Sequence, residues 1–232
     1  MQISKISSRE NSLDWRFLLP ITTDSKVLII GYDCENIHQY FIKLGMMSVY
    51  YCTNVIPVST INSYNAKEKR NIVTFTELKL RPDLLSFFDI VVFPHGLVKM
   101  DVSDGKTGES AEHHFVKKYV RSGGIILIGF ANGIIPGNKK KQSELYFSDL
   151  WKMRRWLKTN GYTLTGIHGA IPDQFIPEHI FPISHQSISF ILKNRYAYKM
   201  PSLLLRWMES SFLTRIIANF FPAYFVVAAV NF

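Results

Sequence analysis

Cysteine is scarce in this chain, with two in 232 residues, Cys34 and Cys52. Two are too few for a disulfide scaffold, and each falls at or near the end of an apolar run, so both are expected to be reduced. No long hydrophobic run is free of polar breaks. The most apolar stretch, Phe212 to Val230, contains Arg215, Asn219 and Pro222, which makes it a poor membrane span. The N-terminal residues MQISKISSRENSLDW lack an apolar signal core, and a cytoplasmic location is expected. Zinc-finger spacing, an RNP-type motif, a P-loop and a G-x-S-x-G elbow are all missing. Thirteen Gly and ten Pro are spread along the chain, so no low-complexity class applies.

Apolar and basic residues are plentiful. Hydrophobic residues make up 47% and aromatics 14%, enough for a packed core. Formal net charge is +9, with 27 Lys and Arg against 18 Asp and Glu. That balance suits nucleic acid, an anionic membrane face or an acidic substrate, or a plain solvated surface. Most of the cations are scattered; the one tight run, Lys139-Lys140-Lys141, follows Pro136-Gly137-Asn138.

Periodicity divides the chain into alternating strands and helices, which is an α/β pattern. Residues 13–20 (LDWRFLLP) form a short amphipathic lead-in or lid. VLII at 27–30 reads as a strand buried on both faces and ending at Gly31. Ile37, Tyr40, Phe41 and Leu44 then mark a helix stopped by Gly45. Further strands are expected at 48–52, 72–75, 89–93, 125–130 and 162–167, with a last one at 223–230. A helix around Phe115 to Val120 should close at Gly123-Gly124. Ser148 is placed as the N-cap of a helix over 149–159 with Leu150, Met153, Trp156 and Leu157 inward. Trp151, Trp156 and Trp207 are assigned to the core. Leu205, Met208, Phe212 and Ile216 line a further helix. The whole is expected to be a Rossmann-like doubly wound sheet of about seven strands, mostly parallel, with an antiparallel last strand. Its divisions are a lead-in at 1–25, a core at 26–168, a Pro-rich and helical insertion at 169–221 and the last strand at 222–232.

The turn VLIIGYDCEN joins a strand to a helix start, a place where backbone amides meet ligands. Only Gly31 is glycine there; Tyr32, Asp33, Cys34 and Glu35 follow. A pyrophosphate would be repelled by Asp33 and Glu35, so a cationic or uncharged ligand end is favoured. His113 and His114 point about 100° apart on a helix and make no metal face. His168, Asp173, His179 and His185 match no metal-ligand spacing. No metal is expected.

Several segments in order resemble class I S-adenosylmethionine (SAM)-dependent methyltransferases: LDWRFLLP before VLIIG, FDIVVFPHGL, VKKYVRSGGIILIGFAN, YFSDLWKMRRWLKTNGYTLTGIHGAIPDQFIPEHIFPI and PAYFVVAAV. The resemblance is to a bacterial subgroup with a WR-x-LLP lead-in and covers roughly 13–230. It implies SAM as cofactor and O-methylation of a small molecule, glycan or peptide in a biosynthetic pathway. Gly31, Tyr32 and Asp33 would lie under the methionine and ribose. Asn54 would take the place of the usual ribose-binding acid. Thr76 and Glu77 would flank adenine. Pro94 and His95 would face the sulfonium methyl, His95 taking the acceptor proton. Trp15 and Arg16 would fold over the cofactor, and His168 and Asp173 would line the acceptor pocket. Two glycines and one acid of the family pattern are missing. A catalytically inactive methyltransferase-like binding or scaffold protein is therefore the alternative, and an RNA or DNA methyltransferase or binder the second. Peripheral membrane contact is a further expected possibility from the apolar and basic C-terminal third.

Overall fold

In the computed structural model, residues 14–31, 34–53, 71–97, 111–134, 149–172, 177–196 and 216–231 are described. Eight strands form one sheet: β1 (Val27–Ile30), β2 (Val49–Thr53), β3 (Ile72–Thr74), β4 (Phe88–Phe93), β5 (Val120–Ala131), β6 (Tyr162–Ile171), β7 (His179–Pro182) and β8 (Ala223–Val230). Their spatial order is β3-β2-β1-β4-β5-β8-β6-β7. The first five run parallel, and β8 is antiparallel to both β5 and β6, between which it lies. Flanking helices are α1 (Glu35–Lys43), α2 (Phe75–Lys79), α3 (Ala111–Tyr119), α4 (Leu150–Thr159) and α5 (His185–Tyr196).

The apolar run of β1 is completely buried because both faces are covered. Leu28 and Ile30 point to one core with Leu78, Phe115, Met153 and Leu192, from α2, α3, α4 and α5. Val27 and Ile29 point to the other, with Ile37 and Phe41 of α1 and Trp15 and Leu19 of the lead-in. Burying each such side chain contributes about 1.5–3 kcal/mol, so a strand of this composition is stable only with helices on both sides. This is the doubly wound arrangement expected.

Several boundaries differ from the sequence reading. Gly123 and Gly124 do not stop a helix; α3 ends at Tyr119 and β5 begins at once at Val120. The two glycines lie where the β4–β5 register shifts. Gly123 has φ +75°, and a Cβ on Gly124 would meet Val120 Cγ1 at 2.5 Å and the Asp89 carbonyl oxygen at 3.0 Å. They are the glycines of a bulge. Thr74 ends β3 and Phe75 already belongs to α2, because Thr74 and Glu77 close a capping box. The N-cap of α4 is Asp149, whose side chain accepts from the Lys152 N–H at 2.8 Å. Strand β6 runs on to Ile171, and the Pro-rich insertion contributes an edge strand, β7, beyond the about seven expected. Trp151 is exposed rather than core, whereas Trp156 is buried as expected. Trp207, Leu205, Met208 and Phe212 lie outside the described residues.

Candidate active site

The chain passes from β1 to β2 and β3 on one side, then returns to β4 on the other. Connections therefore leave β1 and β4 in opposite directions, and a crevice opens outside their carboxyl ends. Gly31 closes β1, donating its N–H to the Cys52 carbonyl at 3.2 Å. Its φ of +154° is a glycine conformation, and a Cβ there would meet Cys34 Sγ at 3.0 Å. Cys34 is fully buried and is the N-cap of α1, where it makes no side-chain capping hydrogen bond. Glu35, half-buried, is in the first turn. Tyr32 and Asp33 lie outside the described residues.

Beside this turn, β2 ends in Tyr51, Cys52 and Thr53, all buried. The Tyr51 hydroxyl is buried and makes no hydrogen bond of normal geometry among the described residues. It faces the Thr53 side chain and the Cys34 backbone, and burial, with the charges of Cys34 and Glu35 next, holds its pKa well above the ordinary phenol value. Burial likewise pushes the Cys52 thiol up, so it stays protonated. Neither cysteine is in a disulfide. Asn54 lies outside the described residues. At the end of β3, Thr76 and Glu77 are exposed, and Glu77 Oε2 accepts from the Thr74 N–H at 2.7 Å.

After β4 come buried Pro94, half-buried His95, and Gly96 with φ +100°. Register pairs Ile29 with Val92, so Gly31 and the Pro94-His95 turn sit at adjacent strand ends. Strand β5 presses on that turn: a Cβ on Gly129 would come within 2.5 Å of the Pro94 carbonyl oxygen. Beyond β5, Asn132 is fully buried. Its side-chain amide donates to the carbonyls of Asn219 at 2.7 Å and Phe221 at 2.9 Å, and its N–H donates to the Pro222 carbonyl at 2.8 Å. The Tyr224 hydroxyl donates to the Ala218 carbonyl at 2.8 Å and accepts from the Phe221 N–H at 3.2 Å. This network clamps the entry of β8 to the exit of β5. Sequence reasoning did not single it out; an Asn closing the buried run IILIGFA was its visible trace.

The remaining expected site residues are dispersed. Trp15 is sunk in the core, 6.3 Å from the Phe41 ring and stacked at 6.2 Å on Phe225. The Arg16 guanidinium lies 3.6 Å above the Tyr40 ring. Both fasten the lead-in to the sheet and α1. His168 stands on β6, paired across β8 with Phe225, which pairs with Gly129. Three strand intervals separate it from β4, roughly 14 Å, so His168 and His95 are not neighbours. Its Nδ1 is buried with no hydrogen-bond partner among the described residues, and desolvation lowers its pKa, so the ring is neutral at pH 7. Asp173 lies outside the described residues. Among the described residues, no group of His, Cys, Asp and Glu is placed to hold a metal ion.

No family model and no curated protein matches the chain. Solved structures do. A SAM-dependent methyltransferase from Archaeoglobus fulgidus superposes with a TM-score of 0.55 at 13% identity, covering 94% of this chain and 92% of that one. A geranyl diphosphate methyltransferase in complex with SAM gives 0.51 at 10% identity over 94% and 84%. A SAM-dependent methyltransferase from Mesorhizobium loti gives 0.50 at 10% over 93% and 95%. The fold is thus the Rossmann-like methyltransferase fold.

Proposed function

We propose that this protein transfers a methyl group from SAM to an oxygen of a small-molecule, glycan or peptide acceptor, in a biosynthetic pathway of the cytoplasm. The observation that carries this reading is the sheet itself. Its parallel half switches direction at β1 and β4, and β8 is inserted antiparallel beside β5, in a chain that superposes almost end to end on a methyltransferase. The crevice suits a cationic adenosyl ligand. Gly31 brings the backbone close without a side chain, and Glu35 supplies the sign that favours a sulfonium and an ammonium. Thr53, with Asn54 next in the chain, offers uncharged polar groups for ribose hydroxyls. Thr76 and Glu77 would flank adenine, though Glu77 also serves its capping box.

Bound SAM supplies a methyl group activated on sulfur. The rest falls to the chain. Gly31, Tyr32 and Asp33 hold the donor in the crevice, and Pro94 and His95 border the methyl. His95 accepts the proton of an acceptor hydroxyl. His168, neutral and half-buried, stands three strand intervals from the methyl position and would meet only a distal part of the acceptor. Alignment of acceptor oxygen and methyl carbon supplies much of the rate, since the transfer is an in-line displacement.

A second reading is a non-catalytic binding domain of the same fold. Cys34 Sγ packed against Gly31, and Asn54 in the sequence where a carboxylate is usual, favour it. Transfer of labelled methyl from SAM to an acceptor panel decides between them. The enzyme reading expects transfer by the wild type and a loss of about 100-fold or more in His95→Ala. Ligand binding without transfer to any acceptor would support the second reading.

A further inference from the structure

On α4, Leu150, Met153, Trp156 and Leu157 are buried. The opposite face carries Trp151, Arg154, Arg155 and Lys158, spaced i, i+3, i+4, i+7. All four are exposed, and the Trp151 side chain is 64% open to solvent. Arg155 lies 5.6 Å from the Trp151 ring centre. Neither Arg154 nor Arg155 forms an ion pair among the described residues. A helix has no packing reason to put a tryptophan at the centre of its cationic face.

Leu150 and Met153 on the inner face of α4 share one core cluster with Ala218 and Phe221, so the 216–221 segment packs on the same side of the sheet as this helix. Arg154 is close enough to the Tyr224 hydroxyl to lower its pKa, against a larger rise from burial. That hydroxyl is bonded within the 218–221 turn. Around it stand Phe220, 54% exposed, and Ile216, 41% exposed. Asn132 ties this turn to the loop after β5, where Ile134 is 49% exposed. Ala131 pairs with Ala223, so both loops and the start of α4 belong to the carboxyl edge of the sheet, the edge that carries the crevice.

We propose that the outer face of α4, with Ile134, Ile216 and Phe220, docks the protein on an anionic lipid bilayer. Cations around a tryptophan, rimmed by exposed aliphatic and aromatic tips, combine attraction to anionic headgroups with insertion of apolar groups below them. Nucleic acid would use the arginines and could stack bases on aromatic rings, but it has no use for the aliphatic tips of Ile134 and Ile216. The chain's net charge of +9 has the sign an anionic leaflet attracts. No helix among the described residues is long and apolar enough to cross a membrane, so the contact is peripheral. The inference is independent of the methyl-transfer reading, because it concerns a surface outside the crevice.

The test is co-sedimentation with phosphatidylglycerol vesicles and with phosphatidylcholine vesicles. Wild type is expected to pellet with the first and not the second. Arg154→Gln with Arg155→Gln is expected to weaken binding about tenfold or more. Trp151→Ser with Phe220→Ser is expected to weaken it by a similar factor, with circular dichroism and Tm unchanged. The proposal is overturned if wild type stays in the supernatant. It is equally overturned if the apolar pair leaves vesicle binding intact, or if the arginine pair lowers RNA binding while vesicle binding is unaffected.

Discussion

Any side chain at position 31 would have to adopt a backbone conformation reserved for glycine and push against Cys34 Sγ. Gly31→Ala is expected to cost roughly 1–3 kcal/mol of stability, read from urea denaturation, and to weaken any ligand held at that turn. Asn132 is a second irreplaceable residue. Asn132→Ala leaves the buried Phe221 carbonyl without its side-chain donor and weakens the hold on β8. About 1–3 kcal/mol should be lost, more than in a substitution of exposed Thr163. His168 gives a pH signature. Its folded pKa lies below the ordinary value of about 6.5 because burial penalises the cation. The unfolded chain binds the proton more readily, so stability is complete above that value and falls as pH drops through and below it. His168→Gln should flatten this part of the stability profile; an unchanged profile would show that another group causes it.

At the scale of elements, Thr74→Ala removes half of the α2 capping box and should cost about 1 kcal/mol, visible as a lower denaturation midpoint. Elements with an undiluted pattern were legible in the sequence. The four-residue run of β1 and the last strand, Ala223–Val230, fall where they are expected, because burial on both faces admits only apolar residues. The inward face of α4 followed from its spacing. Trp151 breaks the rule that tryptophan is mostly buried: its position lies across the helix from that inward face, and position decides. Gly123-Gly124 misled for a related reason. Glycine pairs end helices and also make bulges, and only the closeness of Val120 and Asp89 tells which. In the site, Gly31 and the Pro94-His95 turn could be read from the strands they follow. The Asn132 clamp could not, because its partners Asn219 to Tyr224 lie 87 to 92 residues away.

For the whole molecule, the order β3-β2-β1-β4-β5-β8-β6-β7 places one crevice at the β1–β4 switch and one clamp at β5–β8 on the same edge. A ligand bound only by the folded crevice stabilises the protein by mass action, roughly 2.7 kcal/mol at a hundredfold excess over Kd. Saturating SAM or its demethylated product should therefore raise the Tm of wild type and leave that of Gly31→Leu unmoved. Calorimetric titration of SAM into the wild-type protein tests the central claim most directly. The account predicts saturable binding of one ligand per chain, absent in Gly31→Leu. No heat of binding at millimolar SAM, from protein shown to be folded, would contradict it.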